Sequence, residues 1–148
     1  MTMLQQLFWG SGFLCLCLVI ETVVLVFCAD ALRRYAKRFG LQTTPMRRGG
    51  FLLIAIGYIL FCHTLQVWIW AASFVWMGAI GDWNTAAYFS IVTYTTLGYG
   101  DIVLGNASRI FGAFVSINGL LGFGISTAFL VGSMSDFFKS SKDVEQRR

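Results

Sequence analysis

A chain of 148 residues with 57% hydrophobic and only 12% charged residues has too little polar surface to cover a soluble domain. Its single Pro, 16 Gly and 14 Phe exclude a disordered segment, a collagen-like repeat and a disulfide-stapled module. The net charge of +4 is gathered into islands at 33–48 and 139–148 with Arg109 alone between them, a pattern that marks cytoplasmic membrane loops and leaves no basic domain for nucleic acid.

Residues 7–28 form an apolar run broken only by Glu21, long enough to cross the roughly 30 Å hydrocarbon core. Met1 to Gln6 carry no Lys or Arg, so the run reads as a retained span and not a cleaved leader. An acid inside a span is costly in lipid and a functional candidate. Glu21 lies roughly 13 Å from the inner end of its helix, while Tyr58 and His63 of the returning helix lie about 11 and 18 Å deep. Glu21 is therefore expected to face that helix and not the acyl chains. Cys15, Cys17, Cys28 and Cys62 all lie in or beside apolar runs with no CxxC pair, and are expected to be buried, inert thiols.

In residues 30–41, DALRRYAKRFGL, Leu32, Tyr35, Ala36 and Phe39 share one helical face and Arg33, Arg34, Lys37 and Arg38 the other. This reads as a separate basic amphipathic helix, N-capped by Asp30 and stopped by Gly40, lying flat on the inner leaflet with its basic face suited to anionic lipid. Thr43, Thr44 and Pro45 then turn the chain. Phe51 to Gly81 carries no formal charge and exceeds one straight span. Trp68, Trp70, Trp76 and Trp83 are expected to form an aromatic belt at its far end. His63, Gln66, Trp70 and Ser73 follow one stripe, expected to face protein.

Residues 84–96 are apolar but reach only about 20 Å as a helix, so they are expected to re-enter the membrane without crossing it. Ile110 to Ser135 forms the last span, and a short polar tail follows. Both basic islands fall on one side only with the N terminus outside, which places the re-entrant segment outside as well.

Between the short helix and the last span stands Thr95-Thr96-Leu97-Gly98-Tyr99-Gly100-Asp101. Glycines alternating with larger residues let successive carbonyls point the same way. Four such strands around an axis would stack rings of oxygens that replace the water shell of a cation. TTLGYGD resembles the signature of potassium channels. Tyr88 to Thr93 resembles that family's pore helix, and Phe51–Ile80 and Ile110–Ser135 its outer and inner helices.

The resemblance implies an all-α integral membrane protein with three spans, a pore helix and a filter loop per subunit, four subunits surrounding one pore. The resemblance covers a pore domain (51–135); the extra N-terminal span (1–29) and the interfacial segment (30–50), which resemble no family, and the tail (136–148) are read from hydropathy and charge alone. Within the pore domain the resemblance implies an outer helix (51–81), pore helix (84–95), filter (96–101) and inner helix (109–135). Thr96, Leu97, Gly98 and Tyr99 would coordinate potassium ions, supported by Thr95, Gly100, Asp101 and Tyr88. Gly119 would be the bend of the inner helix, and Leu120, Phe123 and Thr127 would line the cavity. Gly122 and Gly124 read as close-packing positions, and Asn118 as a side chain facing the pore or holding neighbouring helices.

Phe89 stands where the family often carries tryptophan and cannot donate a hydrogen bond. Tyr88 is expected to donate one to Asp101 instead. Glu21 and His63 become gating candidates. One filter copy per chain requires a homotetramer. The expected function is passive potassium conduction in a cell membrane, the bacterial inner membrane by type, with no enzymatic activity and no cofactor. A non-selective cation channel and a non-conducting regulatory subunit are the rivals.

Overall fold

The computed structural model describes residues 1–39 and 45–146, with side chains described for 1–38, 46 and 49–135. The expectations for Gly40, for Thr43 and Thr44 of the turn, and for the side chains of the tail lie outside these. Four helices follow in order: α1 Met3–Phe39, α2 Pro45–Trp76, α3 Trp83–Tyr94 and α4 Arg109–Gln146. Three contain segments long and apolar enough to cross a membrane, at Met3–Arg38, Gly49–Trp76 and Arg109–Ser135. Among the described residues the protein is thus an all-helical, multi-pass membrane chain with α3 as the one short element.

The helix expected to start at Asp30 is instead the last part of α1. No Gly or Pro interrupts Phe27 to Phe39, so the hydrogen-bond ladder continues, and Asp30 makes an exposed pair with Arg33 at 3.9 Å in place of a cap. The apolar face of this segment also has a different partner from the one expected. Leu32 is buried, and with Cys28, Phe51 and Ala55 it forms a cluster that Tyr35, Tyr58 and Phe129 flank. Protein, not the leaflet, covers that face, while Arg33, Arg34, Lys37 and Arg38 stay exposed.

The outer helix ends at Trp76, five residues before its charge-free run does. Gly78 adopts φ 66°, and the Gly78 and Ala79 amides donate back to the Val75 and Phe74 carbonyls at 3.0 and 2.9 Å. This left-handed glycine cap satisfies the last carbonyls and turns the chain. Asp82 then caps α3, its Oδ1 accepting from the Thr85 amide at 2.9 Å. The hydrogen bond from the Thr85 backbone holds the Asp82 carboxyl below its ordinary range.

α1 runs parallel to α4 in a constant register. The Gln6 side chain reaches the start of α4, where its Oε1 accepts from the Ile110 and Phe111 amides at 3.0 and 3.4 Å. Fifteen residues further along each helix, Glu21 meets Ser126. Between these points Phe13 packs on Trp70 and Phe111, with ring centroids 5.7 Å away in each case. Trp70 is wholly buried in this core and so takes no part in the aromatic belt, whereas Trp68, Trp76 and Trp83 are exposed. Cys15 departs from the other cysteines in being exposed.

Candidate functional site: the loop after the short helix

α3 packs on α2 and α4 through Ala86, Phe74, Phe111 and Val115, so its C-terminal end is held firmly. Phe89 contributes an edge-to-face contact with Phe74 at 5.1 Å, an apolar brace where no hydrogen bond can form. At that end the chain curls back on the helix. The amides of Thr96, Leu97 and Gly98 donate to the carbonyls of Thr93 (3.0 Å) and Val92 (3.0 and 3.2 Å). The Thr95 hydroxyl donates to the Ile91 carbonyl at 2.8 Å.

Three alternate residues then take left-handed backbone angles: Thr96 at φ 59°, Gly98 at 55° and Gly100 at 78°. Leu97 and Tyr99 between them do not. A β-branched residue at positive φ is strained by about 1 kcal/mol or more, and such strain gathers at functional sites. The amides of Thr96, Leu97 and Gly98 are thus tied down. The carbonyl oxygens of this loop from Thr96 to Gly100 accept no hydrogen bond among the described residues. The α3 C terminus beside them adds partial negative charge, which favours a cation.

The expected hydrogen bond forms, with the Tyr88 hydroxyl donating to Asp101 Oδ2 at 2.7 Å. Tyr88→Phe removes this donor, and we expect a faster loss of current during sustained opening. Current decay in excised patches checks it, and a decay rate equal to wild type would count against the brace. Behind the loop, the Ser116 hydroxyl of α4 donates to the Thr93 carbonyl at 3.0 Å. Arg109 Nε fixes the outgoing chain through the Leu104 carbonyl at 2.9 Å.

Gly119 sits against the Tyr94 carbonyl so closely that a Cβ would overlap it, which gives this glycine a packing reason within a continuous α4. Gly122 is similarly close to Glu21, Tyr94 and His63, whereas Gly124 has open space beside it in the single chain. Leu120, Phe123 and Thr127 line a shallow apolar groove with Gly124 and Val131. Asn118 is fully buried and donates to Gln66, so it holds helices together and does not face this groove.

Glu21 faces protein, as does the whole His63, Gln66, Trp70, Ser73 stripe. Sequence reasoning did not find Gln6, Ser116, Tyr94 or Ser126. Their partners lie 23 to 105 residues away, where no local pattern points. Nor did it single out Asp82 as a cap, although an Asp directly before an apolar helix is such a signal.

A membrane chain that sets a short helix and a loop of free carbonyls between two spans has the build of an ion-conducting subunit. Residues 62–136 match a family described as ion channel, and the chain belongs to that family. It is 30% identical over 100 residues to the A-type voltage-gated potassium channel KCND3 of Rattus norvegicus, and equally to those of Homo sapiens and Mus musculus. The match covers 63% of this chain and 15% of each relative, so the chain spans a small part of their length. The family is of the potassium-channel type. No solved structure matches the chain.

Proposed function

We propose that the chain is the subunit of a potassium-selective channel that conducts passively through the carbonyls of Thr96, Leu97, Gly98 and Tyr99. The observation that carries this reading is the backbone of that loop. Left-handed angles at alternate residues and amides tied to the α3 end leave its carbonyl oxygens without donors. Stacked rings of such oxygens can replace the hydration shell of a dehydrated cation.

One chain supplies one strand of a ring. The reading therefore includes a homotetramer, with Leu120, Phe123 and Thr127 facing a shared cavity. In that assembly residues 51–135 are the pore domain, and α1 packs outside it within each subunit. Arg33, Arg34, Lys37 and Arg38 then meet anionic headgroups on the cytoplasmic face, and the N terminus lies outside the cell. Passive conduction requires no cofactor and no chemical step. The relatives' printed names, as potassium channels, support the choice of ion.

Reconstitution tests the reading. Purified protein in liposomes should carry a potassium flux that barium blocks. An equal sodium flux would make it a non-selective cation channel. No flux of either ion would make it a regulatory subunit that keeps the fold.

A further inference from the structure

α1 lies outside the segment that matches the ion-channel family, yet it sets a carboxylate in the middle of that segment's fold. Glu21 is fully buried. Its Oε2 accepts from Gln66 Nε2 on α2 at 3.2 Å, and its Oε1 accepts from the Ser126 hydroxyl on α4 at 2.8 Å. The Gln66 amide works on its other side as well. Its Oε1 accepts from the Tyr94 hydroxyl at 3.0 Å and from Asn118 Nδ2. Tyr94 Oη lies 2.8 Å from His63 Nδ1.

Donor arithmetic gives the set a direction. A Gln oxygen can only accept, so Tyr94 gives its single hydroxyl proton to Gln66. His63 must then donate from Nδ1 to the Tyr94 oxygen. Its Nε2, the far end of the set, has no hydrogen-bond partner among the described residues. Every bond thus points from His63 through Tyr94 and Gln66 to Glu21, and Ser126 points at the same carboxylate. Glu21 ends the set as its acceptor.

Tyr94 is the last residue of α3, and its carbonyl rests on Gly119 of α4. We propose that Glu21 is a positioning residue for the pore. Through Gln66 it fixes Tyr94 at the base of the loop 96–101, and through Ser126 it ties α4 to the same point, so that α1 takes part in opening and closing the conduction path. The proposal rests on the reading of 96–101 as the ion filter.

A proton on Glu21 disturbs this set. It makes one carboxyl oxygen a donor, and Gln66 Nε2 cannot accept, so the Ser126 bond must reverse. The ionisable groups facing Glu21 are Cys17 on its own helix, Cys62 and His63 from α2, and Tyr94 from α3. Among the described side chains of α4 only Arg109 is ionisable, and it lies at the far end. A second proton on His63 would enter at the unpartnered Nε2 and add a positive charge to the set, so Glu21→Gln is needed to separate the two groups.

The experiment records single channels of wild type, Glu21→Gln, Tyr94→Phe and the double variant in symmetric potassium from pH 5.5 to 8. Exchanging the charge-assisted Ser126 bond for a reversed, neutral one should change open probability about tenfold, and Glu21→Gln should carry that change at every pH. Glu21→Gln should show no pH dependence. Tyr94→Phe should shift open probability about tenfold alone and under about twofold in the Glu21→Gln background, as coupled residues do. A Glu21→Gln channel that follows the wild-type pH curve, or two effects that simply multiply, would overturn the proposal. Should Glu21→Gln fail to assemble, Ser126→Ala decides, because loss of that donor should shift open probability about tenfold. An unchanged open probability overturns the proposal too. A wild-type chain without potassium current would overturn the channel reading itself. A selective wild-type current with indifferent variants would overturn only the role of Glu21.

Discussion

Gly98→Ala is expected to abolish discrimination between potassium and sodium while the chain still inserts and assembles. Gly98 holds φ 55°, and a Cβ built there meets nothing within 4 Å. Within one chain the substitution therefore creates no clash and acts through the backbone angle. A left-handed residue with a Cβ costs roughly 1–2 kcal/mol, and a tetramer would bear that cost four times at one ring. The relief available is a rotation that turns carbonyls away from the axis, which removes coordinating oxygens. Tyr99→Ala should have the same outcome, since the bulk of a side chain 67% exposed in the single chain is then free to pack against neighbouring subunits and set the ring width. Bi-ionic reversal potentials measure the result. A wild-type permeability ratio in either variant would mean that these residues do not form the filter.

Gly119→Ala is expected to lower the yield of assembled protein severely, while Gly124→Ala leaves it near wild type. The added methyl at Gly119 would land on the Tyr94 carbonyl oxygen, a backbone atom that cannot rotate aside. Either α3 or α4 must shift, and the Ser116 bond to the Thr93 carbonyl must stretch with them. Overpacking of this kind costs about 1–3 kcal/mol per site, and more where the backbone is the obstacle. At Gly124 a Cβ meets nothing within 4 Å in the single chain. Size-exclusion profiles and thermal melts in detergent compare the two. Equal stability would show that the contact between α3 and α4 yields easily.

The parts of this structure that were legible in the sequence are those written in local patterns. The three apolar runs, the short helix between them and the loop with its alternating glycines all follow from spacing along the chain. The Tyr88 to Asp101 bond was expected from the resemblance to the potassium-channel pore, not from spacing, and the two groups do meet. Misplaced boundaries have a common cause. Hydropathy records charge, not capping, so α2 was read to Gly81 although Gly78 turns the chain at a left-handed cap. Likewise the basic face at Arg33 to Arg38 suggested a leaflet surface, although Leu32 and Tyr35 find α2 and α4 to cover them.

What could not be read was long-range pairing. Glu21 was legible as an acid that needs partners, but Gln66 and Ser126 were not legible as those partners, because each side chain is ordinary in its own helix. The Gln6 cap on α4 belongs to the same group: nothing near residue 6 indicates a helix that starts a hundred residues later. The strained φ at Thr96 was also invisible, since threonine is an unfavourable choice for that angle and the surrounding hydrogen bonds impose it.

The central claim is that the loop 96–101 selects potassium. Its most direct test is the reversal potential of the wild-type chain in a planar bilayer with potassium on one side and sodium on the other. The account requires a potential strongly displaced toward the potassium equilibrium value. A reversal near zero, with current carried equally by both ions, would contradict it.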